Sequence, residues 1–410
     1  MDFFQHRYYR KNKILLAIIG RWPYQTAGAR RGLMMTAILV SACQNIPQIL
    51  AIVKYRDDRD MLLECICPLL FVVVCYAKAV WYVQMLKLLN RIRTDWRVWS
   101  SDKEVTILHE YAERGRKIST VYAVAAYSTG IFYITQPIVP KIIDVLLKNG
   151  TEPAVFPFPV DYHHLDTQKY YLHIVVFTYV CVSWGLLMTI ALDGIVIVYV
   201  QHCCGLFAAL GHKLERVAKN ETAAEEDTSF KNLVSCVDRH NDCIEYSKLI
   251  EKSYTWYFFC IVGLNVIAIS LTGIQILKKT KDLQDTMRFV AFIVGIIVHL
   301  YLENYMSQII MDHSINIGYH ISKWYTLSLQ AQKLLNLMIV RCSAPCKLTV
   351  GKITDMSVET FGMVRIIVFF SIVFRMPTLF FKNYYIHTSD WEKYTKLKFN
   401  YFGRARQGSK

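Results

Sequence analysis

HISKWYTLSLQAQKLLNLMIVRCSAPCKLTVGKITDMSVETFG occupies residues 320–362, and the apolar run IIVFFSIVF follows at 366–374. In physical terms the stretch opens with a Trp-Tyr pair, a residue combination suited to a membrane edge. An amphipathic helix comes next, then a loop punctuated by Pro345 and Gly351, and last a helix long and apolar enough to span a bilayer.

Working outward, the whole chain obeys the same logic. Of its 410 residues, 54% are hydrophobic and only 19% charged, and the mean hydropathy is +0.25. Soluble domains carry about 25% charged residues and interrupt their apolar runs. Seven apolar segments stand out at 33–53, 62–86, 120–145, 172–200, 254–277, 288–311 and 353–375, each near the roughly 20 residues that cross a bilayer as a helix. The fold class expected is an all-α membrane protein with seven transmembrane helices. Gly, Ser, Thr and Tyr within the segments suit helices packed in a bundle, and Pro47, Pro137 and Pro140 should kink or break them.

The net charge of +15 fits loop Lys and Arg held on the cytoplasmic side. Basic residues crowd the amino-terminal segment and loops two, four and six, and are sparse in loops one, three and five. This bias predicts a cytoplasmic amino terminus and an extracellular carboxy terminus, opposite to a G-protein-coupled receptor. Asn149-Gly150-Thr151, a glycosylation sequon, then falls outside, which makes Asn149 the candidate glycosylation site. No basic stripe with interleaved aromatics lies outside the loops, so nucleic acid is not an expected partner. Residues 1–32 read as a cytoplasmic amphipathic lead-in rather than a cleaved signal peptide.

The twelve cysteines read as small core hydrophobes, and Cys342 and Cys346 lack the companions a zinc site needs. His163, His164, His299 and His313 show no metal spacing, and no phosphate loop or nucleophile motif appears. An enzyme, a metal and a cofactor are all unexpected. Loop three, with prolines from Pro153 to Pro159, is either a stiff lid over the bundle or a solvated connector. Loops two and four are charged yet helical in pattern, and 201–253 with 312–352 could form a cytoplasmic helical anchor. Lys78 and Asp193 are costly in lipid. Their depths differ by less than ~10 Å at about 1.5 Å per residue, which permits a pair. The commoner outcome is that each snorkels separately to the inner interface.

Along nearly its whole length the chain resembles the insect odorant receptors. The landmarks are Gly20-Arg21-Trp22-Pro23-Tyr24, FPFPVDYHHLDTQKYY before the fourth span, Leu302-Glu303-Asn304 with Ser307, and His320-Ile321-Ser322-Lys323-Trp324-Tyr325. Leu348-Thr349-Val350-Gly351-Lys352 and Met356-Ser357-x-Glu359-Thr360-Phe361 close the series. The resemblance implies a variable odorant-binding subunit of a ligand-gated nonselective cation channel, assembled as a heterotetramer with a shared co-receptor in the plasma membrane of a sensory neuron dendrite. It places the odorant pocket in the outer parts of spans two, three, four and six (within 33–311), the pore along the last span, and subunit contacts on the cytoplasmic helices.

A small volatile ligand needs an aromatic and aliphatic pocket. Outer-half candidates are Phe71 and Val74 on span two, with Tyr127, Phe132 and Tyr133 on span three. Phe177, Tyr179 and Val182 on span four and Phe289, Phe292 and Ile293 on span six complete the set. The resemblance implies an aliphatic gate just before the terminal basic residue, which maps to Val373 if Arg375 anchors the alignment or to Ile372 if Phe361 does. The chain departs from the family in its more apolar last helix and in a basic tail at 376–410, expected outside. A gustatory receptor of the same superfamily is the alternative, although its Thr-Tyr and Gln closing motif is missing. A G-protein-coupled receptor is a more distant one.

Overall fold

The computed structural model describes residues 3–80, 85–99, 101–147, 156–163, 165–219, 226–278, 283–320 and 328–363. Asn149, Ile372, Val373, Trp324, Tyr325 and the tail at 376–410 lie outside the described residues.

The helices follow the apolar segments and overrun them. A short α1 (Arg10–Ile18) precedes α2 (Ala27–Lys54) and α3 (Arg59–Val80). Next come α4 (Met85–Val98), α5 (Asp102–Thr135) and α6 (Val139–Leu147). The longest elements are α7 (Tyr171–Lys219) and α8 (Glu226–Lys278), followed by α9 (Leu283–Asn316) and α10 (Leu329–Cys342). Among the described residues, six helices (α2, α3, α5, α7, α8 and α9) are long and apolar enough to cross a membrane.

The charged halves of loops two and four are continuations of these helices, so α7 and α8 run through 201 and 253 without a break. They extend past the apolar segments because their inner turns bury a second stripe. Leu210, Leu233, Cys236, Cys243, Ile250 and Leu335 are buried in one cluster that α1 and α4 join through Leu16 and Ile92. The amino-terminal landmark belongs to this cluster: the buried Trp22 ring meets Phe4 edge-on at 5.3 Å. Tyr9 accepts a hydrogen bond from Trp96 Nε1 at 3.0 Å, and burial pushes its phenol well above the ordinary value.

The three prolines act differently. Pro137 sits in a 3-10 turn (Gln136–Ile138) that ends α5, and Pro140 lies in the first turn of α6, where its missing N–H leaves no hydrogen bond unmade. Pro47 is carried inside α2, and its carbonyl accepts from the Asp161 amide of loop three at 3.0 Å.

After α10 the chain forms a two-stranded antiparallel hairpin, β1 (Thr349–Val350) with β2 (Thr354–Asp355). Gly351 and Lys352, both at positive φ, make its turn. The hairpin is tied to α8 by Gly351 N donating to Thr255 O at 3.0 Å and by Thr255 and Thr349 hydroxyls 2.8 Å apart. Residues 358–363 are helical, so the helix opens five residues into the segment expected for the seventh span.

Candidate ligand-binding site

Between α2, α3, α5, α7 and α9 lies a cavity of about 170 Å³. Two glycines in its wall let neighbouring side chains pack closely against the helix backbone. A Cβ at Gly130 of α5 would stand 2.5 Å from Leu186 Cδ1, and one at Gly185 of α7 would stand 3.1 Å from Phe71 Cε1.

Residues 156–163 of loop three lie at one end of the cavity. Phe158 is only 5% exposed and lines it. The segment is pinned by Pro157 O, which accepts from Arg288 Nη1 at 3.2 Å, and by the Lys54–Asp161 ion pair at 3.6 Å. These contacts hold residues 156–163 against the bundle. At the far end, about 16 Å of helix rise along α9 from Arg288, His299 and Asn265 form a polar floor.

Beneath that floor is a buried ionic network. The Lys78 ammonium lies 2.5 Å from Asp193 Oδ1 and 2.6 Å from His299 Nε2. Tyr122 and Tyr257 donate to the two Asp193 oxygens at 2.5 and 3.0 Å. Asn265 Nδ2 meets His299 Nδ1 at 3.1 Å, and the Glu303 carboxylate faces Nε2 of the same ring at 3.3 Å. Lys78 and Asp193 therefore do not snorkel apart, as separate excursions would require. Two tyrosine hydroxyls and a histidine satisfy the charges, so burial costs less than exposing either ion alone to hydrocarbon.

Asp193, His299 and Glu303 offer ligand atoms within 4.8 Å of one another, a spacing that could hold a metal. The ammonium of Lys78 already touches two of the three. The cation of this cluster is the protein's own side chain.

The structure gathers Phe71, Val74, Tyr133, Val182 and Phe292 on the cavity wall. Tyr133 and Phe292 face each other there with ring centroids 5.4 Å apart. The other candidates point elsewhere. Phe289 is buried under Arg288 at 4.7 Å, Tyr179 donates to Thr135 Oγ1 at 2.7 Å, and Tyr127 reaches Ser183 O at 3.4 Å. Phe132 is exposed on the outer surface, Phe177 is half-buried outside the lining, and Ile293 packs beside Ile269 and Leu300.

The sequence reading passed over the contribution of α2, from which Ser41, Gln44, Asn45 and Gln48 all line the cavity. The signal was present as four polar residues at i, i+3, i+4 and i+7 within an apolar helix, which place one polar stripe on one face. Thr129, Thr189 and His299 also line the cavity.

Long apolar helices around a cavity, with Lys78, Asp193, His299 and Glu303 buried between them, define a multi-pass membrane protein. The comparisons narrow this. The 7tm Odorant receptor family profile matches residues 60–368. Odorant receptor 13a of Drosophila melanogaster is 22% identical over 178 residues, a match spanning 42% of this chain and 42% of that protein. The insect olfactory receptor OR5 from Machilis hrabei, solved with eugenol, superposes with a TM-score of 0.73 at 12% identity, covering 90% of this chain and 97% of the other. The same receptor solved without it gives 0.68, covering 89% and 96%. The chain belongs to the 7tm odorant receptor family. Its fold is that of the seven-helix insect olfactory receptors, and the family is one of receptors rather than enzymes.

Proposed function

We propose that this chain is the odorant-binding subunit of a ligand-gated cation channel. A small volatile apolar ligand enters the cavity, and the subunit opens a nonselective pore together with a co-receptor in a heterotetramer. The observation that carries this reading is the apolar cavity itself, walled by Phe71, Val74, Tyr133, Val182 and Phe292. A concave, mostly apolar space with a few convergent polar groups suits such a ligand. The OR5 structure solved with eugenol supports the same use of the fold.

In this reading the amino terminus is cytoplasmic, the cavity lies in the outer half, and the protein acts in the plasma membrane of a sensory dendrite. Exposed apolar residues on α10, Leu337 (68%) and Val340 (70%), support the inner helices as subunit contacts. The gate is Val373 or Ile372 on the last span, and Asn149 is the glycosylation site.

Co-expression with an odorant co-receptor and an odorant panel tests the proposal. It expects inward cation current that persists when G-protein signalling is blocked and that disappears when Gly185→Leu fills the cavity. Current unaffected by Gly185→Leu, at normal surface delivery, would remove the cavity from the mechanism.

A further inference from the structure

Gln44 and Gln48 of α2 are deeply buried, at 5% and 1% exposure. They stand one turn apart on the face of α2 that lines the cavity. Both polar atoms of the Gln44 carboxamide and the Oε1 of Gln48 find no hydrogen-bond partner among the described residues. Their neighbour Asn45 reaches the Tyr76 hydroxyl at 3.5 Å, so the stripe is not uniformly unpaired. Buried carboxamides are rarely left in this condition, because desolvation without a partner is costly.

The chemistry of the unpaired atoms restricts what could satisfy them. Two carboxamide oxygens ask for donors, and one carboxamide N–H₂ asks for an acceptor. An ether or ketone can only accept, and would leave both oxygens bare. An ammonium cannot accept from Gln44 Nε2. A carboxylate would carry a charge into a lining that, among the described residues, includes no Lys or Arg. A hydroxyl does both tasks with one atom, donating its proton to one Oε1 and accepting from Nε2. The rest of the ligand then lies against Phe71, Tyr133 and Phe292.

Resting on the reading of the cavity as the ligand site, we propose that Gln44 and Gln48 form a hydroxyl-recognition rail. It makes the receptor selective for apolar alcohols over hydrocarbons and ethers of the same shape.

Three probes of one skeleton test this on the full chain in lipid nanodiscs: 2-phenylethanol, its methyl ether and ethylbenzene. Affinity is read from the concentration dependence of thermal stabilisation. The alcohol should bind about tenfold tighter than either analogue, the worth of one or two net hydrogen bonds. Gln44→Met and Gln48→Met should each shrink that ratio by weakening the alcohol, while ethylbenzene keeps its affinity, which also reports an intact cavity. If a Met variant fails to fold, the wild-type ratio among the three probes decides the matter alone. Ethylbenzene or the ether binding wild type as tightly as the alcohol overturns the rail, as does a ratio unchanged in folded Met variants. Binding of no probe, or binding that Gly185→Leu leaves intact, overturns the cavity reading itself and the rail with it.

Discussion

The Lys78 ammonium and the Asp193 carboxylate, on helices far apart in sequence, meet at 2.5 Å in a fully enclosed part of the bundle. The contact joins α3 to α7 directly under the floor of the cavity. It also holds His299, which, like Tyr122, both lines the cavity and touches the ion pair. Cavity and buried charge are therefore neighbours in this protein.

Removing one partner should harm the fold more than removing both. Lys78→Met or Asp193→Asn leaves an uncompensated ion or orphaned donors, at a cost of about 3–5 kcal/mol. The double variant Lys78→Met with Asp193→Asn should recover most of that loss. Thermal unfolding of detergent-purified protein checks this. A double variant as unstable as the sum of the singles would mean the two residues act independently.

Filling the cavity should separate binding from stability. Gly185→Ala brings a methyl to 3.1 Å of Phe71 Cε1, a contact the ring can relieve by a small shift. The expected stability loss is about 1 kcal/mol or less. Gly185→Leu should abolish the odorant response while leaving surface delivery within about twofold. Dose–response curves with surface labelling make the comparison.

The hairpin turn makes opposite predictions at adjacent residues. Gly351 has φ +59°, and a Cβ there would stand 2.9 Å from Phe259 Cδ2. Gly351→Ala should destabilise by about 1–3 kcal/mol through backbone strain and the clash. Lys352 is itself at φ 62°, so Lys352→Gly should be neutral or stabilising by up to about 1 kcal/mol. Unfolding midpoints of the two variants should move in opposite directions or differ sharply.

Cys342 should react slowly. Burial pushes its thiol up from 9.0 to about 11, so the fold holds the neutral, non-nucleophilic form at physiological pH. The sign follows: the buried thiol adds no pH dependence below 9.0, and costs stability as the pH rises from there toward 11. Peptide mapping after maleimide treatment at pH 7.5 should find Cys342 unmodified in folded protein and modified after denaturation.

Much of this architecture was legible in the chain. Bilayer-length apolar runs set the all-α membrane class, because a backbone in hydrocarbon must satisfy its own hydrogen bonds. The closing landmarks from Leu348 to Phe361 carried the family. Periodicity also marked the inner loops as helical, although it could not show that α7 and α8 run unbroken through them. The two-residue strands of the hairpin were too short to leave a pattern; the sequence showed only Gly351 punctuating a loop.

The cavity was legible only in part. Phe71, Val74, Tyr133, Val182 and Phe292 face it, but Phe289, Phe132 and Tyr179 lie at similar depth and turn away. A rotation of one residue, about 100° on a helix, decides between wall and outer surface, and helix rotation is fixed by packing partners. The same holds for Lys78 and Asp193, whose pairing depends on α3 and α7 presenting facing sides. Composition and hydrophobic length by themselves determined that this chain would be a bundle of membrane helices. Only tertiary packing decided which side chains line the cavity, because that depends on contacts between helices distant in sequence.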